Sequence, residues 1–94
     1  MLNCYIKDKI SGKMQDKDVL IENIDKVHTT EMGVGRISRN MGISGDVVEI
    51  CKGKILKKES AVERKGKNYY VDVDDCIITV NASSFTIITA HKKG

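Results

Sequence analysis

Glu63-Arg-Lys-Gly-Lys-Asn-Tyr-Tyr-Val-Asp-Val-Asp-Asp-Cys-Ile-Ile-Thr-Val-Asn-Ala-Ser-Ser-Phe-Thr-Ile-Ile-Thr-Ala-His91 is the stretch that decides the fold of this chain. Apolar and polar residues alternate in short runs, the period-2 pattern of half-buried strands. Three dipeptides interrupt them, Gly66-Lys67, Asp74-Asp75 and Ser83-Ser84, all of turn-forming type. Two-residue turns fix a register. Arg64 then opposes Tyr69, Val62 opposes Val71, Val71 opposes Ile78, Tyr69 opposes Val80, and Val80 opposes Ile87. One face is expected to hold Val62, Arg64, Tyr69, Val71, Val73, Cys76, Ile78, Val80, Phe85, Ile87, Thr89 and His91. The other is expected to hold Glu63, Asn68, Tyr70, Asp72, Ile77, Thr79, Asn81, Thr86, Ile88, Ala90 and Lys92. A slip of one residue would exchange the two sets, and the apolar pattern selects the first as the buried one.

Upstream of the meander the period changes to that of helices. A first helix is expected from an Asp16 N-cap to about His28, with Val19, Leu20, Ile24 and Val27 inward. Thr29 or Thr30 caps a second over residues 31–41, with Val34, Ile37 and Met41 on one face and Gly42 just beyond its end. Gly33 and Gly35 weaken it by about 1 kcal/mol each relative to alanine, and allow close packing or close approach of a ligand. Ser44 or Gly45 opens a third helix to about residue 58, with Val47, Val48, Cys51 and Ile55 inward. Lysines gather in its last turns, where cations suit the helix dipole. The expected architecture is α+β: about three N-terminal helices packed on one face of a four-stranded antiparallel β-meander. Residues 1–15 read as an N-terminal arm or edge strand, and residues 16–94 as a single α+β domain.

The 94 residues suffice for one modest core, and the 40% hydrophobic content is that of a globular chain. A net charge of +3 suits a phosphate-bearing partner without being a nucleic-acid tail. The three cysteines, Cys4, Cys51 and Cys76, form neither a disulfide framework nor a zinc spacing. Buried thiols in a reducing cytoplasm are expected. No run has the length of a membrane span, so no membrane partner is expected.

Two constellations stand out. His28, Arg36, Lys65, Lys67 and His91 include groups that can bind phosphate or exchange protons near neutral pH. Their plain structural roles would be at a helix end and strand ends. Asn68, Tyr70, Thr79, Asn81 and Thr86 share a polar sheet face, where hydroxyls and amides can bond a base and a tyrosine can stack on it. Such a face is also an ordinary solvated one, but Ile77 and Ile88 on it suggest cover by the N-terminal arm, a second subunit or a ligand. Three motifs are set aside. The helix-turn-helix look of residues 36–54 would offer acidic side chains to phosphate, and Gly33-Val-Gly35 lacks the lysine of a phosphate loop. Asp72, Asp74 and Asp75 lack the spacing of a calcium loop, so no metal site is expected.

The segments from His28 to Ile37, Asp46 to Cys51, Arg64 to Tyr70, Cys76 to Asn81 and Thr86 to Lys92, taken together, resemble the small bacterial family called domain of unknown function 3781. The resemblance covers roughly residues 18–92. It implies an architecture more than an activity. It puts weight on His28, Thr29, Thr30, Glu31, Gly33, Arg36, Lys67, Asn68, Asn81, Thr89 and His91, with Tyr69 at an aromatic position. Gly35 departs from the family pattern.

The functional expectation is a cytoplasmic domain binding an anionic, nucleotide-like ligand or RNA, with a sequestering protein of phage or mobile-element type as one form of it. Its ligand-binding set would be His28, Thr30, Arg36, Lys67, Asn68, Tyr69, Tyr70, Asn81, Thr89 and His91. No cofactor is expected, and a homo-oligomer is compatible with the exposed apolar residues. The alternatives are a metal-independent ribonuclease, whose acid or base is His28 or His91, and a protein-interaction or immunity module.

Overall fold

The computed structural model describes residues 15–93. Apart from Gln15, the expected N-terminal arm lies outside the described residues, as does Cys4. Three helices, α1 (Asp16–Glu22), α2 (Glu31–Met41) and α3 (Val47–Ile55), precede four strands, β1 (Ala61–Lys65), β2 (Asn68–Val73), β3 (Cys76–Asn81) and β4 (Ile87–Lys92). The strands form one antiparallel sheet in the order β1-β2-β3-β4, as a meander must.

The helices cover the sheet face that carries Tyr69, Val71, Ile78, Val80 and Ile87, all buried. Leu20 of α1, Ile37 and Met41 of α2, and Val47, Cys51 and Ile55 of α3 complete the core. Each such aliphatic side chain contributes about 1.5–3 kcal/mol by leaving water. Cys51 and Cys76 are free buried thiols. Burial pushes the Cys51 thiol up to about 11, against an opposing effect of Lys54, so it is inert at neutral pH.

The first helix is shorter than its periodicity predicts. It is preceded by Gln15, whose side chain makes no cap bond, and it ends at Asn23. There the side-chain amide donates to the Val19 carbonyl at 2.9 Å, a local bond that competes with helix continuation. A 3-10 turn, Ile24–Lys26, carries the chain onward. Asp16 is used elsewhere: its carboxylate accepts the Arg64 backbone N–H at 2.9 Å and ties α1 to β1. Lys17 donates to the carbonyls of Lys57, Lys58 and Ser60 at 3.0, 3.0 and 2.8 Å, filling acceptors beyond the end of α3.

The second helix has the expected bounds. Thr30 caps it by accepting the Gly33 N–H at 3.0 Å, and Gly42 closes it at φ 66°. Its buried stripe is Gly33, Ile37 and Met41; Val34 is turned outward, because the stripe follows the i, i+4, i+8 row. The third helix starts at Asp46, not Ser44 or Gly45, since the Asp46 carboxylate accepts the Glu49 N–H at 3.2 Å. It ends at Ile55, short of residue 58.

The first two hairpins have the expected two-residue turns. Gly66 takes φ 60°, and Asp74 and Asp75 take φ 52° and 59°, the doubly left-handed geometry of a type I′ turn. Asp74 is also an ion-pair hub. Its carboxylate lies 2.7 Å from Lys57 and 3.0 Å from Lys54, and the hydrogen bond from Lys57 leads in holding it below the usual carboxylate range. The same bond raises Lys57 above its usual value. A group lowered in the folded state stabilises above its unfolded pKa and loses that contribution as pH falls through the folded one. A raised lysine behaves oppositely at the alkaline end. Asp74→Asn, which keeps the left-handed conformation, is therefore expected to melt below the parent across neutral pH. The difference should close in acid below the Asp74 range and in alkali above the Lys57 range, and shrink in salt. Melting curves across pH test this; a gap that persists unchanged at both extremes would rule out the ion pairs as its cause.

The third connection departs from expectation. It is a four-residue loop, 82–85, closed by the Asn81 N–H donating to the Thr86 carbonyl at 2.8 Å. Phe85 sits at φ 59°, a left-handed conformation unfavourable for an aromatic residue. Its ring lies 6.5 Å from that of Tyr69, stacked at 19°. The larger correction follows in β4. Val80 pairs with Ile87 as expected, but Thr79 then pairs with Thr89, Ile78 with Ala90 and Ile77 with His91. Ile88 is the extra residue of a β-bulge, and it inverts the facing of everything after it. Ala90 is fully buried and His91 is exposed. Thr89 and His91 are thus on the face away from the described helices, contrary to expectation. The cause is parity: the inward positions go to the apolar pair Ile87 and Ala90, three residues apart, which a regular strand cannot place on one side.

Candidate functional site

The register and the bulge together write three rows across the outer face of the sheet. Lys65, Asn68 and Asn81 form the first, continued by Thr86. Glu63, Tyr70, Thr79 and Thr89 form the second, and Ala61, Asp72, Ile77 and His91 the third. Rows two residues apart along a strand are about 7 Å apart. A depression of about 530 Å³ opens over the β1–β2 side of this face, lined by Glu63, Lys65, Tyr70, Asp72 and Ile77 among others. Its volume is that of a small-ligand site. Tyr70 and Ile77, both half-buried, supply ring and aliphatic surface. Lys65 Nζ lies 3.9 Å from Glu63, and Lys93 reaches both oxygens of Asp72 at 3.1 Å.

A second polar cluster stands at the end of the first row. His28 adds to the start of β4 as a parallel bridge with Thr86: its N–H donates to the Phe85 carbonyl at 3.1 Å, and its carbonyl accepts from the Ile87 N–H at 2.7 Å. The ring is held at both nitrogens. Nδ1 donates to the Lys26 carbonyl at 2.8 Å, since a carbonyl can only accept. In the neutral ring Nε2 therefore accepts from the Thr86 hydroxyl at 3.2 Å. Thr86 in turn lies 2.7 Å from the Ser84 hydroxyl.

Not all of the ten residues expected to bind ligand meet here. Asn68, Tyr70, Asn81, Thr89 and His91 share the outer face, and Lys67 stands at the hairpin turn beside it. His28 joins through Thr86. Asn81 is largely committed to its own loop: its side-chain oxygen accepts the backbone N–H groups of Ser83 and Ser84, each at 2.9 Å, and the Ser84 hydroxyl at 3.2 Å. Its amide donates to Asn68 at 3.4 Å.

Thr30, Arg36 and Tyr69 lie elsewhere. Thr30 is a helix cap. Arg36 extends from α2 to the Ile88 carbonyl at 3.5 Å. Tyr69 is buried beneath the sheet, with the Arg64 guanidinium 5.7 Å from its ring centre. His28 and His91 are at opposite ends of β4. Thr86 and His91 stand opposite Asn81 and Ile77, four residues apart on β3, so their backbone positions are roughly 14 Å apart. Glu63 does not stand out in the sequence as a site residue, although the hairpin register makes it the cross-strand neighbour of Tyr70. Thr86 is placed on its face by alternation, but its bond to His28 depends on the long-range parallel bridge. Among the described residues, no group of three or more His, Cys, Asp and Glu side chains is placed to hold a metal ion, and no helix is long and apolar enough to cross a membrane.

These features describe a small α+β domain: helices on one face of an antiparallel meander, with a polar, tyrosine-bearing depression on the other. A family model described as "Protein of unknown function (DUF3781)" matches residues 21–91. The chain belongs to that family. No match is found among curated proteins or among solved structures.

Proposed function

We propose that the outer sheet face binds a nucleotide or a short stretch of single-stranded RNA in a reducing, cytoplasmic setting. One observation carries the reading: the bulge at Ile88 puts Thr89 and His91 on the same face as Asn68, Tyr70 and the depression. A base stacked on Tyr70 would have Ile77 beneath it and hydroxyl and amide groups at its margin, the usual composition of a single-strand platform. Lys67 at one end and His91 at the other supply cationic or protonatable groups for phosphate.

Binding is favoured over cleavage by the separation of the histidines. An acid and a base acting on one phosphodiester must both reach it within a hydrogen bond or a single water. His28 is engaged at both ring nitrogens by Lys26 and Thr86 at one end of β4, and His91 leaves the other end, so the two are not placed on one phosphodiester. Two phosphates along an extended strand could meet them in turn.

The test is calorimetric titration of the full chain with nucleoside monophosphates and a short RNA. Tyr70→Ala is expected to weaken binding about tenfold, within the range for base–aromatic stacking, while Tyr70→Phe keeps it. Binding that is indifferent to Tyr70, or absent for every nucleotide and RNA tried, would remove this reading in favour of a protein-interaction surface.

A further inference from the structure

From the lining of the depression we infer that it selects guanine over the other bases, with Glu63 and Lys65 reading its edge. This rests on the proposed nucleotide reading and adds the identity of the base. The observations come from one place. Glu63 is paired directly across from Tyr70, so both side chains leave the same face as neighbours, with Cβ atoms about 5 Å apart. A ring lying on Tyr70 therefore presents an edge to the Glu63 carboxylate. Two residues along β1, Lys65 leaves on the same side, and its ammonium stands 3.9 Å from a Glu63 oxygen. Both residues line the depression. Neither is heavily committed: each side chain is 68% exposed, and their mutual contact is at the outer limit of an ion pair.

The pair presents a fixed pattern. An ionised carboxylate offers two acceptors and no donor, and an ammonium offers donors only. From Glu63 to Lys65 along β1 the pair offers carboxylate acceptors and then ammonium donors. Guanine carries the complement on its Watson–Crick edge: the N2 amino donor, the N1–H donor and the O6 acceptor, in sequence. Adenine sets its amino donor beside the N1 lone pair, and cytosine sets its amino donor beside N3 and O2, so a carboxylate gaining one bond faces a repelling lone pair. Uracil flanks its single N–H with two carbonyls. Guanine alone takes both carboxylate oxygens and returns an acceptor to the lysine.

The same lining explains why the depression is a poor phosphate site by itself. It carries two carboxylates, Glu63 and Asp72, against Lys65, and Asp72 is already held by Lys93. The charge favours a donor-rich base edge inside and leaves the phosphate outside, toward the Gly66-Lys67 turn.

The experiment is titration of the full chain with guanosine, adenosine, cytidine and uridine 5′-monophosphates, repeated on Glu63→Gln. Guanosine monophosphate is expected to bind on the order of tenfold tighter than the others, the discrimination of one good bidentate contact. Glu63→Gln should abolish that preference and raise the adenosine affinity, because the amide offers one acceptor and one donor to the adenine edge, with an unchanged melting temperature because Glu63 is exposed. Equal, Tyr70-dependent binding of all four would overturn guanine selection and leave the sheet-face reading standing. Failure of all four to bind would overturn guanine selection, and failure of the short RNA as well would bring down both. A Glu63→Gln that weakens the four equally would overturn base reading.

Discussion

Ala90→Asp is expected to leave the chain unfolded or weakened by more than about 4 kcal/mol, whereas His91→Asp changes stability by no more than about 1 kcal/mol. Ala90 is fully buried opposite Ile78, and α2 lies along the strand that carries it. The aspartate stem is too short to carry its charge out to water, and its cross-strand neighbour Ile78 offers no countercharge. An unpaired charge in such a place costs several kcal/mol, against a total stability of about 5–15 kcal/mol for a domain of this kind. His91 is exposed opposite Ile77 on the outer face, so the same substitution there meets solvent. Without the bulge the two positions would exchange roles, and the expected ranking would reverse. Urea unfolding followed by circular dichroism decides it: a chain that tolerates aspartate at 90 and collapses with it at 91 has no bulge at Ile88.

That reversal marks where sequence reasoning stops. The element order, the first two hairpins and the pairing through Val80 and Ile87 follow from local signals: turn dipeptides, alternation and helix periodicity. The bulge does not. In Ile87-Ile-Thr-Ala-His91 both parities offer some apolar character, Ile87 with polar Thr89 and His91, or Ile88 with Ala90. The structure takes Ile87 from one parity and Ala90 from the other, an outcome set by the helix lying on the strand. The site is legible to the same extent. Asn68, Tyr70 and Asn81 fall on the outer face from the register alone. Thr89 and His91 join them only through the bulge, and His28 only through a bridge to Thr86, 58 residues away. Tyr69 is separable from Tyr70 by alternation, and its buried position agrees with that. Thr30 and Arg36 carry weight for a different reason: together with Thr29 and Gly33 they belong to the junction between α2 and β4.

At that junction Gly33→Ala is expected to destabilise the domain by about 2–3 kcal/mol, although alanine is the better helix former by about 1 kcal/mol. Gly33 is buried on the face of α2 turned to the sheet. A β-carbon there would overlap Thr29 Oγ1 and stand 3.3 Å from Thr30 Oγ1. Thr29 Oγ1 is not free to move aside, because it donates to the Ile87 carbonyl at 2.9 Å, and Thr30 Oγ1 accepts the Gly33 N–H. Relief requires rotating Thr29 about a stiff β-branched χ1, which forfeits the bond to β4 and leaves a part-buried carbonyl short of a partner. The alternative is to move α2 off the strand and thin the packing of Ile37 and Met41. Gly35 is the internal control. It lies on the same helix, and a β-carbon added to it would meet no atom within 4 Å, so Gly35→Ala brings only the propensity gain and should stabilise by up to about 1 kcal/mol. Thr29→Ser, which keeps the hydroxyl and frees χ1, should recover part of the loss in the Gly33→Ala background, because the serine can turn away at lower cost. Chemical denaturation of the three variants and the parent reads the result. Equal effects at positions 33 and 35 would show that Thr29 yields freely and that the contact between α2 and β4 does not depend on glycine.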